Sequence, residues 1–101
     1  MKFKSGVSQL GVSSEILLAL MVANDVYKDH GTDMVCTSIT DGMHSVGSRH
    51  YSGLACDLRI RNLPDGAAPE VKDQIAENLG EHYDVILEST HIHIEYDPAH
   101  S

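Results

Sequence analysis

The chain has 101 residues, a length that suggests a single domain over 1–101 with one modest core. Hydrophobic residues make up 42%, as in ordinary folded proteins. The formal charge of −8 argues against nucleic acid or an anionic membrane as partner, because both need basic surfaces. Its two cysteines, Cys36 and Cys56, form no C-x-x-C pair and are too few for a disulfide framework, so a reducing compartment is the simplest reading.

In chain order, residues 1–12 are polar and glycine-punctuated and read as an extended lead-in. No apolar stretch with a cleavage site follows Met1, so no signal peptide is expected. Ser13 or Ser14 suits an N-cap, and Glu15 suits the first helical turn. Ile16, Leu17, Leu20, Ala23, Asn24 and Tyr27 follow at helical spacing. Leu18, Met21, Val22 and Val26 widen the apolar face, which predicts a largely buried helix. Its apolar run over 16–23 is too short for a bilayer. Lys28 and His30 suit the C-terminus, and Gly31 ends the helix.

Residues 34–40 are rich in β-branched side chains and predict a strand, with Asp41-Gly42 as a turn. Residues 54–61 alternate: Leu54, Cys56, Leu58 and Ile60 on one face, Ala55, Asp57, Arg59 and Arg61 on the other. Arg59 and Arg61, on Asp57's face, are expected to pair with the chain's many carboxylates, with substrate binding as the alternative, and both cysteines to be core residues. Pro64-Asp65-Gly66 marks a turn. Pro69 opens a second helix with a Val71, Ile75, Leu79 stripe, stopped by Gly80. Residues 83–88 and 91–96 form two strands joined at Ser89-Thr90 as a hairpin. His91, His93 and Glu95 then share one face. The order predicts an α+β fold with two main helices and a small, mostly antiparallel sheet. His30, His82 and His100 read as solvated surface.

The chemistry concentrates in two stretches. Residues 47–57 read Gly-Ser-Arg-His-Tyr-Ser-Gly-Leu-Ala-Cys-Asp, that is S-x-H-x-x-G-x-A-x-D, and residues 88–93 read Glu-Ser-Thr-His-Ile-His. A catalytic zinc ion takes three nitrogen, sulfur or carboxylate ligands and a water. His50 and Asp57 are too far apart in sequence for one helical face. They suit a loop residue and a strand residue meeting at a sheet edge. A third imidazole from His91 or His93 would complete the set.

These two motifs resemble the zinc D-Ala-D-Ala carboxypeptidase and L-alanyl-D-glutamate endopeptidase family, whose fold is shared with the hedgehog signalling domain. The resemblance covers residues 35–97. It implies one Zn²⁺ held by His50, Asp57 and a histidine of the last strand, with an acidic residue just before that histidine as base. Some members pair the base with a ligand three residues on, which would match Glu88 and His91. Others carry H-x-H with the second histidine on the metal. The hairpin here is similar to the latter kind, which makes His93 the ligand, His91 a catalytic-site residue and Glu88 the general base. Ser48 and His44, in the loop before Asp57, are the candidate substrate-binding residues. Members often carry an upstream arginine for substrate; this chain has Thr40-Asp41-Gly42-Met43-His44 there instead.

The implied function is zinc-dependent hydrolysis of a peptidoglycan stem-peptide bond. The implied partner is the stem peptide, with no nucleic acid and no membrane. Synthesis in the cytoplasm and action on the cell wall after phage-mediated release would fit the lack of a signal. The competing expectation is a zinc-stabilised binding domain of hedgehog-like fold without turnover. An intact Glu88 argues for the enzyme, since a binder has no need of a base.

Overall fold

The computed structural model describes residues 1–7, 12–41 and 54–98. Asp41, expected to open a turn, is the last residue of a strand, while Gly42, the loop with His44, Ser48, His50 and Gly53, and His100 lie outside the described residues. The elements are β1 (Lys2–Phe3), α1 (Ser14–Asp29), β2 (Val35–Asp41), β3 (Leu54–Arg59), α2 (Ala68–Leu79), β4 (Tyr83–Leu87) and β5 (His91–Tyr96). The strands make one sheet in the order β1-β2-β3-β5-β4. β1 lies parallel to β2, and the other three pairings are antiparallel. The fold is thus α+β with two helices and a mostly antiparallel sheet.

The lead-in contains β1, which local sequence does not betray because its hydrogen-bond partners are remote. Lys2 N–H donates to the Met34 carbonyl and Lys4 N–H to the Cys36 carbonyl, both at 2.8 Å. α1 begins where the Ser13 side chain accepts the Ile16 N–H. It ends where Gly31 takes φ +80°. The Gly31 N–H then donates to the Lys28 carbonyl and the Thr32 N–H to the Tyr27 carbonyl, a Schellman pair that satisfies two terminal acceptors. α2 carries Pro69 in its first turn and buries Val71 and Ile75.

α1 rests on β3 and β5, α2 rests on β4, and the helices touch each other. Ile16, Leu20, Tyr27, Leu58, Ile75, Ile92 and Ile94 fill the space between the layers, with Cys36 and Cys56 as free buried thiols. Burial pushes the Cys36 thiol up to about 11, with the nearby Asp57 charge adding to it; the thiol donates to the Ser38 carbonyl at 3.4 Å. Among the described residues, no helix is long and apolar enough to cross a membrane.

Three expectations need correction. α1 is not largely buried: Leu17, Leu18 and Met21 are 46%, 50% and 53% exposed, because one helix can turn only one side to a single sheet. β3 stops at Arg59, not at residue 61. There the Leu63 N–H donates to the Ile60 carbonyl and closes a turn, while the buried Tyr27 hydroxyl donates to the Arg59 carbonyl at 2.7 Å. His30 is half-buried and bonds Gln74 Oε1 at 2.9 Å, tying the end of α1 to α2.

Candidate metal centre

The alternation of β3 and β5 sets the site. Cys56, Leu58, Ile92 and Ile94 face the helices, which leaves Asp57, His91 and His93 on the sheet's other face. Register does the rest: Asp57 pairs with His93, and Arg59 with His91. Two histidines at period two on β5 therefore straddle one aspartate on β3. The Thr37 hydroxyl, on the flanking strand, donates to the Asp57 carbonyl at 3.3 Å.

The three side chains converge. His93 Nδ1 lies 2.7 Å from Asp57 Oδ1, and His91 Nε2 lies 3.6 Å from the same oxygen. Each side chain is 28–31% exposed, so the group is open to solvent on one side. Asp57, His91 and His93 offer three ligand atoms within 4.8 Å of one another, a candidate site for one metal ion. Bonds of about 2.0–2.2 Å at tetrahedral angles put donor atoms roughly 3.4 Å apart. The His91 separation already fits that geometry. The His93 contact is a hydrogen bond and would open by roughly 0.7 Å to admit an ion. Two imidazoles and a carboxylate are a donor set that suits a zinc-like ion.

The outer ring nitrogens are also held. His93 Nε2 sits 3.4 Å from Glu95 Oε1, and His91 Nδ1 sits 3.0 Å from Thr90 Oγ1. Such contacts fix ring orientation and tautomer. Partial burial disfavours the charged form of His93, but hydrogen bonds and charges from Asp57 and Glu95 outweigh it and raise the imidazole above its ordinary range. The Thr90 contact has no signature in the sequence beyond its place in the turn.

Glu88 is exposed just past the end of β4, and its N–H donates to the His91 carbonyl at 2.8 Å, closing the Ser89-Thr90 turn. The hairpin thereby sets Glu88 opposite His91. His50, Ser48 and His44 lie outside the described residues. A second group of carboxylates, Asp84, Glu95 and Asp97, gathers at the other end of the β4–β5 pair.

A cleft of about 670 Å³ opens beside the centre. Asp57 and His91 line it, whereas His93 is not among its described walls. The fold and this group define a small α+β protein with a candidate metal centre on the face of β3 and β5 turned away from α1. No family model, curated protein or solved structure matches the chain.

Proposed function

We propose that the chain is a zinc-dependent peptidoglycan peptidase of the D-Ala-D-Ala carboxypeptidase or L-alanyl-D-glutamate endopeptidase type, with a hedgehog/DD-peptidase-like fold. The observation that carries this reading is the convergence of His91 and His93 on Asp57 beside an open cleft. Two of the three proposed ligands, Asp57 and His93, lie side by side, which supports the reading.

In this reading His50, Asp57 and His93 hold the ion, and His91 faces the substrate from the cleft wall. A zinc ion bound there lowers the pKa of a water and polarises the scissile carbonyl. Glu88, exposed beside the hairpin turn, takes the proton of the attacking water and delivers it to the leaving amine. In this assignment the Thr90 hydroxyl, 3.0 Å away, is the donor to His91 Nδ1, which leaves Nε2–H as a donor for the developing oxyanion. Glu95 accepts from His93 Nε2–H and keeps that ring turned toward Asp57. Ser48 and His44 orient the peptide from the preceding loop.

The test is a mass-spectrometric digest of defined muropeptides by the zinc-loaded protein, with a chelated control. Loss of terminal D-alanine, or release of the stem beyond L-alanine, only in the zinc-loaded sample supports the reading. Glu88→Ala should keep its zinc and lose turnover. Zinc bound with no stem peptide cleaved would overturn the peptidase.

A further inference from the structure

The chain carries seven Lys and Arg residues against fifteen Asp and Glu. Three of those seven, Lys4, Arg59 and Arg61, line the cleft that abuts Asp57 and His91. Only Asp57 and Asp65 oppose them among its described walls. Elsewhere, cations are used differently: Lys2 pairs with Asp33 at 3.3 Å, Lys72 with Asp73 at 3.2 Å, and Lys28 sits in the last turn of α1. Arg59 and Arg61 were expected to pair with carboxylates, and among the described residues they do not. Among the described residues, no carboxylate lies within ion-pair distance of Lys4, Arg59 or Arg61. The reason is placement. The polar face of β3 carries Arg59 beside His91, and β3's early end carries Arg61 onto the cleft rim, away from the acidic helix faces.

An acidic protein that gathers cations in a cleft, with no ion-pair partner among the described residues, focuses positive potential there, and a bound dication would add to it. Arginine's planar fork suits a carboxylate in particular. Arg59 lies two residues from Asp57 on one strand face, about 7 Å along the strand. We propose that this cleft binds a peptide carboxylate through Arg59 and Arg61, assisted by Lys4, one or two residues from the bond presented to the metal centre. Arg59 and Arg61 are then specificity-determining residues. The role of the cleft in hydrolysis rests on the peptidase reading; its preference for a carboxylate does not.

Two arms keep the two claims apart. In the first, zinc-loaded full-length protein is titrated by NMR with N-acetyl-D-alanine and with N-acetyl-D-alanine amide, which differ only in the carboxylate. The acid should bind at least tenfold more tightly. Arg59→Gln and Arg61→Gln should each erase most of that preference without weakening the amide. Added salt should narrow it, and Arg59→Lys should restore part of it. Equal affinity for the two probes, no measurable affinity for either, or an unchanged preference in both arginine variants overturns the proposal. In the second arm, N-acetyl-D-alanyl-D-alanine and its amide are incubated with the same proteins, and released product is counted. A carboxylate preference in binding with no hydrolysis sinks the peptidase and keeps the cleft. Equal hydrolysis of acid and amide sinks the cleft and keeps the peptidase.

Discussion

At the scale of single residues, the site depends on which nitrogen of each ring is free. Thr90 at His91 Nδ1 and Glu95 at His93 Nε2 hold opposite ring atoms, so their loss should have different effects. Thr90→Val should lower kcat about tenfold and leave zinc content unchanged, because it frees the tautomer of a residue that does not hold the ion. Glu95→Gln should instead weaken zinc affinity by about 10–100-fold, read by competition with a fluorescent chelator. The reverse pattern would make His91 the ligand. The two thiols are a separate residue-scale case. Cys36 and Cys56 are 0% and 2% exposed, and burial raises both thiols. Both should resist a thiol reagent at pH 8 in the native protein and react once urea unfolds it. Rapid native labelling would contradict the packing described.

At the scale of elements, the ends of α1 are the parts most open to a quantitative test. Gly31 takes a positive φ, and a methyl group there would meet no atom within 4 Å. The cost of Gly31→Ala is therefore backbone strain alone, about 1 kcal/mol, measured as a lower urea midpoint at unchanged slope. Tyr27→Phe removes the hydroxyl that donates to the Arg59 carbonyl where β3 stops, and should cost about 1 kcal/mol as well. These elements were largely legible in the sequence, because Ser13, Gly31, Pro69 and Gly80 punctuate it and period two marks β3 and β5. What was not legible has physical causes. The exposure of Leu17, Leu18 and Met21 depends on how many layers pack on α1, which helical periodicity does not report. β1 forms only through partners more than thirty residues away. The convergence on Asp57 could be read as one shared face, but the register that sets Asp57 against His93 could not. The cationic cleft depends on a strand ending early, under a hydrogen bond from a helix.

At the scale of the whole molecule, a chain this short has little core to spare, and a bound ion should contribute to its stability. Zinc at saturating concentration should raise the melting temperature, and a chelator should lower it, because the ion binds the folded chain and not the unfolded one. The architecture explains how the parts cooperate. α1 packs on one face of β3 and β5, with α2 beside it on β4, and this layer fixes those strands. The opposite face carries polar groups in set register. Hydrophobic burial on one side thus positions ionisable side chains on the other, and Tyr27 and Thr37 bind the backbone of the strand that carries Asp57 and Arg59.

The most direct measurement is zinc stoichiometry by mass spectrometry of the native protein beside Asp57→Ala and His93→Ala. The account predicts one zinc ion per wild-type chain and none retained by either variant, with both variants still folded by circular dichroism. A wild-type chain that binds no zinc, or variants that keep it in full, would contradict the metal centre at Asp57.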